Sequence, residues 1–290
     1  MRIPSNRIKD IADFFRSELK GLYGEGEVES FISIAMSEYL GLSRAEMMLR
    51  PEARVSESEL LKFSFCVKDL KRQRPMQYII GHTSFYGCRI NVNELVLIPR
   101  PETEELVGLI VKDAEVSGKA PRAVLDIGTG SGCIAIALKR VFAGAEVAAS
   151  DISPGALELA RANAAINRTR VTFMEHDILG GEPLAGTYDI IVSNPPYVRL
   201  SEKESMSPNV REHEPHIALF VPDDDALRYF KAIAARAVEL LNPGGRLYFE
   251  INEGLGAEVK KLLEEKGFVQ AEVIKDLSGK DRMVRAAASA

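Results

Sequence analysis

The residues best suited to chemistry stand four in a row, Asn194-Pro195-Pro196-Tyr197, directly after the apolar run Ile190-Ile191-Val192-Ser193. Two successive prolines contribute no N–H and stiffen the chain, so nearby carbonyls stay free to accept hydrogen bonds. Asn194 adds a side-chain acceptor and Tyr197 an aromatic face. A rigid array of acceptors suits a planar NH2 group. Both N–H bonds are held, and the nitrogen lone pair points out of plane at an electrophile. A proline pair that merely ends a strand is the plain alternative. The carboxyl end of a parallel strand, where open α/β sheets bind ligands, favours the chemical reading.

Three further sets of residues fit a nucleoside. Asp126-Ile127-Gly128-Thr129-Gly130-Ser131-Gly132 follows an apolar strand, and its alternating glycines let backbone approach a ligand with no Cβ in the way. The spacing differs from the G-x-G-x-x-G of dinucleotide sites, so a diphosphate is not required. Asp126 would face a cation or an amino group. Asp151 lies 23 residues after Gly128, near the roughly 20 expected for a carboxylate that accepts from ribose hydroxyls. Asp177 could accept from an exocyclic adenine amine while Ile178 stacks on the ring; His176 reads as a loop residue. His213-Glu214-Pro215-His216 is not a zinc pattern, because Pro215 spoils the helix that would align the ligands, and no metal is expected.

These groups need a scaffold. After Pro121 strands and helices alternate, which predicts a parallel sheet covered on both faces. Expected strands are Ala123–Ile127, Glu146–Ser150, Val171–Met174, Ile190–Ser193, Leu247–Ile251, Val269–Ile274 and Met283–Ala286. Helices are expected over Pro154–Ile166, capped by Ser153, and over Asp224–Leu241, with Asn242-Pro243-Gly244-Gly245 as a stop and turn and the Ala-rich end frayed. Before Arg74 the apolar residues recur at helical spacing, as in Ile8, Ile11, Ala12, Phe15 and Leu19. Ser43 with Glu46 and Ser56 with Glu59 spell capping boxes. Short β-prone segments at Tyr78–Ile80, Phe85–Val92 and Leu95–Ile98 predict a hairpin connector. The expected organisation is a helical bundle over 1–74 that recognises substrate, a β-hairpin linker over 75–98 and a catalytic α/β domain over 99–290.

A net charge of −5 argues against a nucleic acid as the main partner, which would call for a basic excess. Lys68, Lys71, Arg72 and Arg74 form one basic stretch. Cys66, Cys88 and Cys133 are scattered and odd in number, which predicts reduced thiols in a cytoplasmic protein. No run approaches the roughly 20 apolar residues of a membrane span, and the amino terminus lacks a signal peptide.

DIGTGSG, Asp151 and SNPPY together resemble the amino-methyltransferases. Arg74-Pro75-Met76-Gln77-Tyr78-Ile79, Phe85-Tyr86-Gly87, Ile98-Pro99-Arg100-Pro101-Glu102-Thr103, Asp151-Ile152-Ser153-Pro154 and Glu214-Pro215 narrow this. The chain is similar, from about Ile8 to Arg285, to the HemK/PrmC family of release-factor glutamine N5-methyltransferases. That resemblance implies a Rossmann-like class I fold with a mostly parallel seven-stranded sheet. It also implies S-adenosylmethionine as cofactor, S-adenosylhomocysteine as product, and as substrate the glutamine of a Gly-Gly-Gln motif in class I peptide chain release factors. Carried over by position, Gly128 to Gly132, Asp151, Asp177, Ile178 and Asn194 would bind the cofactor, and Asn194 to Tyr197 the glutamine. Arg100 and Glu102 would line the site and Phe85 cover the substrate. Two departures are Ile178, where some relatives have an aromatic residue, and Lys280, where an arginine is frequent. A monomer is expected.

Three rivals share parts of this pattern. An adenine N6 DNA methyltransferase would use NPPY too, but would need a basic surface and base flipping. A nicotinamide dehydrogenase would need the other glycine spacing. A non-enzymatic adaptor would use the sheet only as a scaffold.

Overall fold

The computed structural model describes residues 3–180 and 183–289. The chain divides into two compact units, one running to Gly81 and including Ser207–His213, the other formed by His82–Met206 and the chain from Glu214 onward.

Helices α1 Ile8–Leu19, α2 Glu25–Leu40, α3 Arg44–Leu49, α4 Glu57–Leu70 and α5 Met76–Ile80 build the first unit. Their apolar stripes meet in a core that fully buries Ile11, Phe15, Leu19, Ile32, Met36, Phe63 and Leu70. Both capping boxes form: Ser43 accepts from Glu46 N–H and Ser56 from Glu59 N–H, and each glutamate returns a bond to the cap N–H. A cap of this type stabilises by about 1 kcal/mol. Tyr78–Ile80, expected as a strand, is the end of α5 instead. Pro75 has a fixed φ of −56° at its start and Gly81 closes it at φ +82°. Met76 and Tyr78 are buried, and this packing overrides the β preference of Tyr-Ile-Ile.

The second unit opens on the hairpin β1 His82–Phe85 and β2 Cys88–Asn91, joined through Tyr86 and Gly87 at φ +46° and +72°. Positive φ at both central residues gives the twist a tight hairpin needs. Leu95–Ile98 forms no strand. Ile98 N–H donates instead to Glu214, at 3.3 Å.

The sheet strands are β3 Ala123–Ile127, β4 Glu146–Asp151, β5 Thr172–Glu175, β6 Tyr188–Ser193, β9 Leu241–Glu250, β10 Val269–Lys275 and β11 Asp281–Ala287; β7 Val198–Arg199 and β8 Phe220–Val221 pair separately. Sheet order is β10-β11-β9-β6-β3-β4-β5. Within this sheet β11 runs opposite to the other six strands. Helices α6 Pro101–Ser117, α7 Cys133–Val141, α8 Pro154–Ile166, α10 Arg228–Leu240 and α11 Gly256–Glu265 belong to this unit, while α9 Pro208–His213 groups with the first. The order of strands reverses between β3 and β6, which leaves a crevice above their carboxyl ends.

Three local expectations are corrected. The helix expected from Asp224 begins at Arg228, and Asp223–Asp225 is a 3₁₀ turn in which Asp223 accepts the N–H and hydroxyl of Ser201. Asn242 to Gly245 does not separate elements but bulges within β9, since Leu241 pairs with Tyr188 and Arg246 already with Ile190. The Ala-rich end is ordered through Ala288, whose N–H donates to Gly245 O at 2.8 Å; Ala290 lies outside the described residues.

Helix α8 also grips the hairpin. Asn163 exchanges two bonds with the backbone of Asn91, at 2.8 and 3.0 Å, and Asn167 two with that of Arg89, at 3.2 and 2.7 Å. One helical turn of four residues (~6 Å) matches two residues of strand (~6.8 Å). Asn163 reaches Ser131 O as well, at 2.9 Å.

Candidate active site

The first wall of the crevice is the turn from β3 into α7. Gly128, Gly130 and Gly132 have φ of +73°, +54° and +81°, where a side chain is strained. A Cβ on Gly128 or Gly130 would meet no protein atom within 4 Å, but one on Gly132 would lie 3.1 Å from Ala160 Cβ. The first two glycines open room for a ligand and the third lets α7 and α8 approach. Gly128 and Thr129 N–H both donate to Ser150 O, at 2.8 and 2.9 Å. Behind the turn Asp126 Oδ2 accepts from the Thr129 hydroxyl at 2.6 Å and from Ala135 N–H at 3.2 Å. Its Oδ1 is buried without a partner among the described residues. Burial pushes this carboxyl up to about 7, against the pull of those two donors. Asp126 therefore braces its own loop from behind and does not face an open surface.

Asp151 ends β4 beside this turn. Its Oδ2 accepts from Gly130 N–H at 2.8 Å and its Oδ1 from Ser153 N–H at 2.9 Å. Burial raises its pKa, and the amides of Ser153, Gly130 and Ile152 oppose that rise. Each oxygen keeps a lone pair for a further donor. Asp177, past β5, accepts from Leu179 N–H at 2.9 Å, and Ile178 beside it lines the cavity.

The second wall follows β6. The Ser193 hydroxyl donates to Ile127 O at 2.6 Å, tying the strand end to β3. Asn194 Nδ2 donates to Thr103 Oγ1 at 3.2 Å, Thr103 to Glu250 Oε2 at 2.6 Å, and the Tyr197 phenol to Glu250 Oε1 at 3.0 Å. Glu250, at the end of β9, is only 1% exposed. Burial raises its pKa, while the Thr103 and Tyr197 hydroxyls and the charge of Arg282 counteract it and Glu102 adds to it. Burial and the neighbouring Glu250 also raise the pKa of Tyr197, so the phenol keeps its proton.

The two walls border a cavity of about 210 Å³. Gly128, Thr129, Ser131, Asp151, Asp177, Ile178, Asn194, Pro195 and Pro196 line it, together with apolar Leu95, Leu97, Ile217 and Tyr229. Gly130, Gly132 and Tyr197 shape the walls without lining them. Besides Asp126, three expected residues lie off the cavity. Phe85 is buried in β1, the Arg100 guanidinium is paired with buried Glu214, and half-buried Glu102 bears on Glu250 through its charge.

Residues 13–81 match the PrmC N-terminal domain and residues 108–210 the methyltransferase small domain. The release factor glutamine methyltransferase of Flavobacterium psychrophilum is 44% identical over 96% of this chain and 98% of its own length. That of Bacteroides thetaiotaomicron is 42% identical over 95% and 98%. The chain belongs to the release factor glutamine methyltransferase family.

Solved structures agree on the fold of this methyltransferase. A Pyrococcus furiosus methyltransferase matches with TM-score 0.52 at 19% identity, covering 71% of this chain and 92% of that one. A Thermus thermophilus 16S rRNA methyltransferase matches with TM-score 0.52 at 20% identity over 71% and 49%.

Sequence reasoning does not reach Thr103 and Glu250, which hold Asn194 and Tyr197 in the second wall. Thr103 closes the IPRPET run, in which the resemblance points to Arg100 and Glu102 alone. Glu250 sits at the carboxyl end of β9, so the positional rule that marks Asn194 also points to it.

Proposed function

We propose that this chain methylates the side-chain amide nitrogen, N5, of the glutamine in the Gly-Gly-Gln motif of class I peptide chain release factors, using S-adenosylmethionine. The observation that carries this reading is the Asn194-Pro195-Pro196 acceptor array on the cavity of a chain with full-length relatives of that name. The cofactor fits the other wall. Gly128 and Gly130 leave space that any Cβ would fill, Asp151 offers two acceptor oxygens for ribose hydroxyls, and Asp177 with Ile178 suits the edge and face of adenine. When bound, S-adenosylmethionine supplies a methyl group on a sulfonium and leaves as S-adenosylhomocysteine.

An amide nitrogen is a weak nucleophile because its lone pair is delocalised, so the protein contributes mainly position. Correct placement can offset roughly 7–11 kcal/mol of barrier. Asn194 Oδ1 and a carbonyl of the Pro195 region accept the two amide hydrogens and favour the tetrahedral nitrogen of the transition state. The apolar lining excludes water from the transfer. Nothing in this geometry favours adenine N6 of DNA as the acceptor. No helix of the described residues is long and apolar enough to cross a membrane; the place of action we assign is the cytoplasm, where translation occurs. We take a single chain as the working unit.

Recognition of the protein substrate falls, in this reading, to the helical unit. A glutamine at a loop tip offers too little area, because a stable interface buries about 800 Å² per partner. Lys71 and Arg74 are paired with Glu18 and Asp69, which leaves exposed Lys68 and Arg72 as the cations to offer. Mass spectrometry of a purified release factor incubated with enzyme and labelled cofactor should find one methyl group on the Gly-Gly-Gln glutamine. A factor that stays unmodified would sink the reading. Reversing Lys68 and Arg72 to Glu together should raise KM for the intact factor several-fold and leave a Gly-Gly-Gln peptide unaffected. Equal effects on both substrates would remove the helical unit from recognition.

A further inference from the structure

To accept from a substrate amide, Asn194 must turn its oxygen and not its nitrogen to the cavity. The two ends of a carboxamide are nearly alike in shape, so a neighbour has to choose between them. The neighbour is Thr103, whose Oγ1 is 3.2 Å from Asn194 Nδ2 and 2.6 Å from Glu250 Oε2. A threonine hydroxyl has one proton. Glu250 takes the Tyr197 phenol on Oε1 and the Thr103 hydroxyl on Oε2, and so acts as an acceptor on both oxygens. The Thr103 proton is then committed to Glu250. Its oxygen is left only to accept, and what it accepts is Asn194 Nδ2–H. Asn194 Oδ1 has no protein partner among the described residues and belongs to the cavity wall.

We infer that Glu250 and Thr103 are positioning residues that fix which end of the Asn194 amide meets the substrate, an inference that rests on the glutamine-methylating reading above. Burial is the largest influence on Glu250 and opposes its ionised form, as Glu102 from α6 does; the Thr103 and Tyr197 hydroxyls and the charge of Arg282 from β11 favour it. A carboxylate is costly to bury, and holding one hydroxyl and one phenol in place does not by itself need a charge. A committed acceptor does, because a neutral amide in its place could present N–H to Thr103 and turn the hydroxyl around. Asn194 would then face an Oγ1–H donor and be drawn to offer Oδ1 to the protein, leaving Nδ2 for the cavity.

The test compares Thr103→Val, Thr103→Ser, Glu250→Gln and the Thr103→Val/Glu250→Gln double variant, reading kcat on a release factor and Kd for S-adenosylhomocysteine. Thr103→Val and Glu250→Gln should each lower kcat about tenfold or more, with Kd changed by less than about twofold, as for an interaction used at the transition state. Thr103→Ser, which keeps the hydroxyl, should restore kcat to near wild type. The double variant should be no slower than the slower single one, because both act through one chain of bonds. Losses that multiply in the double variant would overturn the inference, as would wild-type kcat in Thr103→Val, or a change confined to Kd. If melting curves show that Glu250→Gln fails to fold, the Thr103 pair decides alone: a slow Val with a fast Ser supports the inference, and equal rates overturn it. A wild-type enzyme that leaves the glutamine unmodified refutes the proposed function instead.

Discussion

The two walls of the cavity are built from opposite materials. On the glycine side backbone amides do the holding: Gly128 and Thr129 donate to Ser150, and Gly130 to Asp151. On the proline side two residues have no amide hydrogen to give. Side chains hold that wall instead, through Ser193 to Ile127, Asn194 to Thr103 and Tyr197 to Glu250. A backbone wall can lie close to a large ligand and grip it along its length. A side-chain wall fixes a few atoms and aims them. On the proposed function the glycine wall grips the cofactor and the proline wall aims the acceptor, so substitutions on the two sides should fail in different ways.

The sharpest way to break this division is Asn194→Ala. It should lower kcat about 100-fold, equivalent to roughly 2.7 kcal/mol of transition-state stabilisation, with cofactor affinity nearly unchanged. Normal turnover with lost cofactor binding would reverse the assignment of the walls. Asp151→Ala comes next. Losing hydrogen bonds to a charged group should weaken S-adenosylmethionine binding by roughly 1–3 kcal/mol, with kcat at saturation much less affected. Calorimetry giving unchanged affinity would remove Asp151 from the grip.

Asp126→Asn should have the smallest effect, and it concerns stability. Burial raises the Asp126 pKa from 3.8 to about 7, so in this interval the folded chain keeps a proton that the unfolded chain has released. Stability from this group is therefore present below pH 4 and lost as pH rises toward 7. The asparagine variant has no such proton. Its melting temperature should gain on wild type between pH 4 and 7 and stay parallel above. A difference that does not vary with pH would mean that Asp126 is ionised in the folded protein throughout.

Much of both walls was legible because their signals are local. Glycines at alternate positions after an apolar strand, or two prolines after another, carry their own conformational reason. The brace behind the proline wall was not legible, because Thr103 and Glu250 are 147 residues apart in sequence and only the packing of α6 on β9 brings them together. The same division runs through the fold. Capping boxes and strand runs read correctly from a few neighbours, whereas Tyr78–Ile80 was decided by what Met76 and Tyr78 pack against, and Asn242 to Gly245 by pairing with β6. Arg100 and Phe85 were placed at the site through resemblance alone. The structure gives Arg100 a buried partner in Glu214 and Phe85 a place in the hairpin core.

Asn163 and Asn167 bear on how the enzyme behaves at high concentration. A short hairpin with unpaired backbone along one side is a template on which a second molecule can build. Here two carboxamides from α8 occupy the donors and acceptors of Arg89 and Asn91 as a neighbouring strand would. A helix thus stands in for the missing strand, and at those two residues it denies the hairpin to any other chain. Because Asn163 holds Ser131 of the glycine turn with the same amide group, the covering of the hairpin edge and the shape of the glycine wall depend on one side chain.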